Sequence, residues 1–250
     1  MVYVPANRWH AFGVHLLISL LVFTCLAAVI YFLWYPGFLF QYDGGLEGVQ
    51  LIAGVDLLIG PFLTLCVYKL GKSSLRFDLT VIALLQIGCL TGGMWTVWQT
   101  RPVAVVYAAG GFRTISYRTF VDYGVLPESV ALLRQRWPVW IAVAPPESEV
   151  PEHSDLVARL IFERSAYFKT GYYVPYSTYQ EAITKEAISI PGILSTSPEL
   201  TQTFEQYPVD SLVYRLACGA GSGYVILNHD HDIVGTFIDL SRQSPYKIYL

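Results

Sequence analysis

The stretch that decides the fold is residues 48–68, GVQLIAGVDLLIGPFLTLCVY, an apolar run interrupted by a single charge, Asp56. At about 1.5 Å per residue, ~20 residues in a helix cross the roughly 30 Å hydrocarbon layer of a bilayer. Two more runs of that kind lie on either side, Phe12–Trp34 and Leu79–Trp98, and neither contains a charged residue. The first is longer than the roughly 7–15 apolar residues of a cleaved signal segment, and two further spans follow it, so it reads as an anchor. The expected fold class is therefore a membrane α-helical part with three transmembrane helices, residues 1–100, followed by a small soluble α+β domain with an antiparallel sheet, residues 101–250.

Charge is distributed accordingly. Mean hydropathy is +0.44, and only 14% of the 250 residues are charged. Up to Thr100 the basic residues are Arg8, Lys69, Lys72 and Arg76, and the acidic ones are Asp43, Glu47, Asp56 and Asp78. The remainder carries 12 of the 16 basic and 15 of the 19 acidic residues, without a basic stripe, which speaks against a nucleic-acid partner. The connection Tyr35–Glu47 has no Lys or Arg, whereas the N-terminal arm and the connection Lys69–Phe77 hold all four basic residues. The bias of basic residues toward the cytoplasm then predicts a cytoplasmic N-terminus and a soluble domain outside. Tyr31, Trp34 and Tyr35 at one end of span one, and Trp95 and Trp98 in span three, are expected at the headgroup level.

An unpaired carboxylate is costly inside a membrane, so Asp56, about 12 Å below the outer boundary, is expected to be neutral or paired. Ala53, Asp56, Gly60 and Thr64 step along one face of span two, and Ala83, Gln86, Cys89 and Gly93 along one face of span three. Small residues let helices approach closely in lipid and polar groups bond across the seam. The expectation is that these faces pack, with a protonated Asp56 donating to Gln86 and Gly60 close to Gly93. Pro61 removes one backbone donor and crowds the carbonyl of Leu57, so a bend is expected there. Asp56, Gln86, Gly60, Pro61 and Gly93 are thus the candidate residues for intramembrane packing and partner contact. An ion or proton site is the competing reading of Asp56, though such paths need a relay of ionisable groups.

The runs Trp34-Tyr35-Pro36-Gly37-Phe38-Leu39-Phe40, Gly44-Gly45, Gly54–Pro61, Asp78–Gln86 (DLTVIALLQ) and Thr100-Arg101-Pro102-Val103 occur in consistent order between residue 8 and about residue 106. Together they resemble the TfpX/TfpZ family of type IV pilin accessory proteins. That resemblance implies a multi-pass protein of the bacterial inner membrane with a periplasmic C-terminal domain, acting beside a cognate pilin and other pilus assembly proteins. It implies a binding or chaperoning role and no enzyme activity. The alternative is a membrane enzyme that modifies pilin by sugar or lipid transfer, for which Asp43 and Glu47 are the only acids in the outer connection.

In the soluble part, Val103–Ala109 and Phe112–Arg118 predict a hairpin turning at Gly110-Gly111. Pro127–Arg136 and Asp155–Lys169 read as helices, Val139–Val143 as a strand ending before Pro145-Pro146. A further helix is expected over Thr178–Ser189, ended by Pro191, and another from Ser197-Pro198-Glu199 with Ser197 as its cap. Leu212–Cys218, Tyr224–Asn228 and Ile233–Asp239 read as strands.

Candidate chemistry there is thin. Asn228-His229-Asp230-His231-Asp232 has metal-ligating residue types, but between two strands such a run is what a polar hairpin loop needs. Gly219–Gly223 lacks the lysine of a phosphate loop. Cys218 reads as a core thiol, and Ser154 and Ser241 have no nucleophile context. No catalytic residue, metal site or cofactor is expected. The tyrosines between Tyr167 and Tyr179 form either an amphipathic binding surface or ordinary core.

Overall fold

In the computed structural model, residues 7–125, 130, 138–151, 162–163 and 165–239 are described, and the chain divides into two compact units, Met1–Arg101 and Pro102–Leu250. The first contains three helices long and apolar enough to cross a membrane, Arg8–Trp34, Gly45–Val67 and Leu75–Thr100. Two of them start about a turn before the apolar core of the sequence run and the third runs past it at both ends. Asn7 caps the first, its side chain accepting from the His10 N–H at 2.9 Å and satisfying one of the orphan donors of the first turn.

Two local irregularities shape this unit. Residues Gly54–Ile59 form a π-helical segment directly before Pro61, and the Gly60 N–H bonds back to the Val55 carbonyl. Pro61 cannot donate, and the backbone ahead of it relaxes into the wider turn, so the expected bend takes the form of one π turn carrying Asp56. A second π segment, Ile30–Trp34, ends the first helix. Past it Tyr35 is fully buried, its hydroxyl donating to the Val97 carbonyl at 2.9 Å and lying 3.1 Å from Thr100 Oγ1. Tyr35 therefore does not turn its ring outward as an interfacial aromatic would; it fastens the end of the first helix to the third, amid Ile30, Leu39, Ile52 and Val97.

The second unit is built on a seven-stranded sheet of order β4-β3-β1-β2-β5-β6-β7. Its strands are β1 Pro102–Ala108, β2 Gly111–Ser116, β3 Val139–Val143, β4 Tyr173–Pro175, β5 Leu212–Ala217, β6 Ser222–Leu227 and β7 Ile233–Asp239. The sheet is mixed rather than antiparallel, because β1 pairs with β3 and β2 with β5 in parallel. Parallel neighbours need long crossovers, and the segments between β2 and β3 and between β4 and β5 supply them. Every residue of β1 is buried, as a central strand covered on both faces requires. One face packs Ala104, Val106 and Ile141 against Phe120, Val130 and Tyr167. The other carries edge-to-face rings, Tyr107 against Phe112 and Tyr214.

The hairpin of β1 and β2 turns at Ala109-Gly110, one residue earlier than expected: Ala108 pairs with Gly111, and Ala109 and Gly110 both have positive φ. Two positive φ values define the turn whose twist matches a hairpin. The helix expected over Thr178–Ser189 shortens to Gln180–Thr184, because Ile188 leaves it to pair with Val213 of β5. Pro191 begins a helix instead of ending one, Ile190–Thr196, capped by the Ser189 hydroxyl on the Gly192 N–H. Residues 198–200 form a 3-10 turn leading into Thr201–Phe204, without a side-chain cap from Ser197. The helix expected over 127–136 lies almost wholly outside the described residues, as do Ser154, Ser241 and most of 155–169.

Candidate functional site

A groove runs along the membrane unit, walled by the first and third helices with the second as its floor. It encloses about 380 Å³. Ala11, Val14, Ile18 and Val22 form one wall, and Leu79, Ala83, Ile87 and Leu90 the other. Each wall repeats at three and four residues, so each is one helix face about three turns long. The rims are open, with Ile18 58% and Ile87 60% exposed.

The floor is polar. Ser19 Oγ donates to Asp56 Oδ1 at 3.1 Å, and Gln86 Nε2 donates to the same oxygen at 3.1 Å. One turn further along, His15 Nδ1 lies 2.6 Å from Thr64 Oγ1. Ser19, Asp56 and Thr64 are each 3% exposed and Gln86 8%. Ser19, Asp56 and Gln86 each sit about eleven residues into their helices, roughly 16 Å along the axis and near the middle of a membrane. Asp56 is thus deeper than the sequence suggested, because its helix begins at Gly45.

Interhelical hydrogen bonds in lipid contribute on average about 0.6 kcal/mol each, so the three cross-helix contacts amount to roughly 2 kcal/mol and fix register more than they hold the bundle. Gly60 makes the geometry possible: a Cβ there would collide with the Gln86 amide. At the other end of the seam a Cβ on Gly48 would meet Val97 Cγ2 at 2.8 Å.

Two details differ from expectation. Gln86 and Ser19 both donate and Asp56 accepts, so the expected hydrogen bond to Gln86 runs in the reverse direction. Gly93 is not in the seam beside Gly60: a Cβ there would meet nothing within 4 Å. The antiparallel register of Gly48 opposite Val97 and Gly60 opposite Gln86 leaves Gly93 two turns away, about 10 Å. Ser19 is missed by sequence reasoning, which reads the first span as an anchor, and His15 reads there as lying near the inner end of that span, far from the depth of Asp56. Their four-residue spacing inside an apolar run was the available signal.

Asp56 Oδ2 is buried and has no hydrogen-bond partner among the described residues. An unpaired buried acceptor is expensive, and the few found in native structures call for an explanation.

The soluble unit offers less. His231 Nδ1 lies 2.8 Å from the Tyr176 hydroxyl and its Nε2 3.3 Å from Thr184 Oγ1, while His229 pairs with Asp210 at 3.2 Å on the surface. The two imidazoles thus turn to different partners, and among the described residues no three His, Cys, Asp or Glu side chains converge as metal ligands. Asn228 Oδ1 accepts from the Asp232 N–H at 2.8 Å, as an Asx turn does. Cys218 is buried, its thiol against the Gly221 carbonyl. Tyr167 and Tyr176 are buried in the core instead of forming a surface. Burial and the Glu186 carboxylate at 2.6 Å push the Tyr107 hydroxyl well above its ordinary range, and burial pushes Tyr214 up to about 12.

Three apolar helices with a polar seam, followed by a soluble α+β unit, define a multi-span membrane protein with an appended domain. Residues 5–37 match the family model of the fimbrial assembly protein FimB. The chain is 35% identical over 109 residues to the fimbrial assembly protein of serogroups C1 and C2 of Dichelobacter nodosus, covering 42% of this chain and 81% of that relative. It is 32% identical over 128 residues to the serogroup E1 protein and 33% identical over 128 residues to the serogroup I protein of the same organism. It spans about half the length of those two, 48% of each. The chain belongs to the fimbrial assembly proteins. No solved structure matches it.

Proposed function

We propose that the protein is an accessory factor of type IV fimbrial assembly that binds its cognate pilin while the pilin is still a membrane protein. The groove carries this reading: two apolar helix faces stand open to lipid in a member of a fimbrial assembly family, a shape that accepts one further helix. Arg8, Lys69, Lys72 and Arg76 all flank the same ends of the spans, which supports a cytoplasmic N-terminus and a domain on the outer, periplasmic side of the inner membrane. From there the domain reaches the part of the pilin outside the membrane. The protein acts by contact and performs no catalytic step.

Purification of the tagged chain from native membranes in mild detergent tests the reading. Pilin accompanies it, and cells lacking the protein assemble few fibres. Absence of pilin from the purified material together with normal fibres in the deletion strain would overturn it.

A further inference from the structure

A cavity of about 410 Å³ opens on the sheet of the soluble unit, a size within the range of ligand-binding clefts. Strand register explains it. Ala108, Gly111, Arg215, Tyr224 and Phe237 pair in turn across β1, β2, β5, β6 and β7, so they stand in one row on one face. Over β1 and β3 that face is covered by Phe120 and Tyr167, and over β5 and β6 by Ile193 and Phe204. The two cores stay separate. Between them Gly111 has no side chain, and Ala217 and Ser222, paired in the next row, are small. The cavity is this gap, with Glu163 and Tyr167 on one side and Glu199 and Leu200 on the other.

Two charges of the lining are unmatched. Arg215 and Glu199 are both exposed, and among the described residues neither side chain has a hydrogen-bond or ion-pair partner. Glu163 and Asp239, the other acids of the lining, are already engaged. Water solvates Arg215 and Glu199 in the free protein. An occupant that covers them brings an acid to the first and a base to the second, or leaves a charge desolvated at a cost. Gly110 and Gly111 line the cavity with main chain, and glycine in a strand marks places where another backbone approaches closely. A polypeptide supplies all of these: an acidic side chain, a basic side chain and a backbone. Residues 240–250 of this chain, which follow Asp239, carry Arg242 and Lys247 but no acidic side chain, so they meet half of the requirement.

We propose that this cavity seats a short mixed-charge segment of the fimbrial subunit, its acidic side chain on Arg215 and its basic side chain on Glu199. The guanidinium fork donates to a carboxylate through two parallel N–H groups, which fixes the geometry of that end. Opposite charges at two points of one cavity also fix the direction of the segment, because reversing it sets like charges together. The proposal rests on the functional reading above, in which the domain meets the part of the subunit outside the membrane.

The experiment places a photoreactive diazirine residue at Leu200, on the cavity wall, in the full chain expressed with its cognate subunit, and reads the crosslinked fraction in native membranes. The otherwise wild-type chain captures the subunit. Arg215→Gln and Glu199→Gln each lower the captured fraction about two- to five-fold, the loss expected for one exposed ion pair. Arg118→Gln, an exposed arginine on the short helix Tyr117–Asp122, leaves it unchanged and controls for net charge. All three side chains are exposed, so the melting temperature in detergent stays at the wild-type value. Capture undiminished by either cavity variant would overturn the two-charge reading. Adducts confined to residues 240–250, to a second copy of this chain or to lipid, while pilin still co-purifies, would overturn the cavity as the subunit's site but leave the proposed function standing. Absence of pilin from both assays would remove the function itself.

Discussion

The two halves of the chain bury opposite things. In the membrane unit large apolar side chains face outward, Leu17 69% and Phe32 70% exposed, and the interior holds polar groups. Four of the five polar residues buried among the described residues, Ser19, Asp56, Thr64 and Gln86, lie there; Ser211 is the fifth. The soluble unit is ordered the usual way, with β1 buried along its whole length among apolar side chains. The difference follows from the solvent. Apolar contact gains little against lipid, which is as apolar as leucine, so in the first unit close backbone approach and hydrogen bonds decide which faces meet. In the second unit removal of apolar surface from water dominates.

The contrast is easiest to break with matched truncations. Phe120 has no exposed surface, and Phe120→Ala costs about 3–5 kcal/mol of domain stability. Leu17→Ala on the lipid face costs within about 0.5 kcal/mol. Near-ultraviolet circular dichroism on heating separates the two, and comparable losses would erase the distinction.

Close approach comes next. Gly60→Leu drives a side chain into the Gln86 amide and destabilises the bundle by about 1–3 kcal/mol. Gly93→Leu, with open space at its Cβ, leaves the melting temperature in mild detergent unchanged.

Removing the hydrogen bond alone is milder. Gln86→Leu costs on the order of 0.6 kcal/mol and no more than about 1.7, read from the same melting curves.

The smallest effect belongs to the soluble unit and to pH. Burial, with His229 beside it, holds the His231 imidazole below its ordinary value of 6.5, Asp230 opposing in part. Folding then favours the neutral ring, so its contribution is present above pH 6.5 and is lost as pH falls from there toward the lowered folded value. The melting temperature of the domain drops on acidification through this window, and His231→Gln shows less of that drop.

Local pattern made much of this legible. β3 and β7 occupy the residues the sequence gives them, because both are compact β-rich runs bounded by turn residues. The three membrane helices were legible from length and apolarity. What stayed hidden is non-local. Parallel pairing of β1 with β3 depends on a crossover, and Ile188 abandons a helical pattern for a bridge to a strand twenty-five residues away. In the candidate site, Asp56 and Gln86 stood out as lone polar groups in apolar runs, while Gly93 was placed wrongly because small-residue spacing does not fix which turns of two antiparallel helices meet. Ser19 escapes notice because an apolar first span reads as an anchor, and His15 because sequence alone puts it far from the depth of Asp56.

The central claim is that the membrane half recognises the partner. A diazirine residue at Ile18 in the groove rim, compared with one at Val209 on the soluble surface, which is 71% exposed, tests it directly in native membranes. The account predicts pilin adducts from Ile18. Adducts with pilin from Val209, with only lipid captured at Ile18, would contradict it.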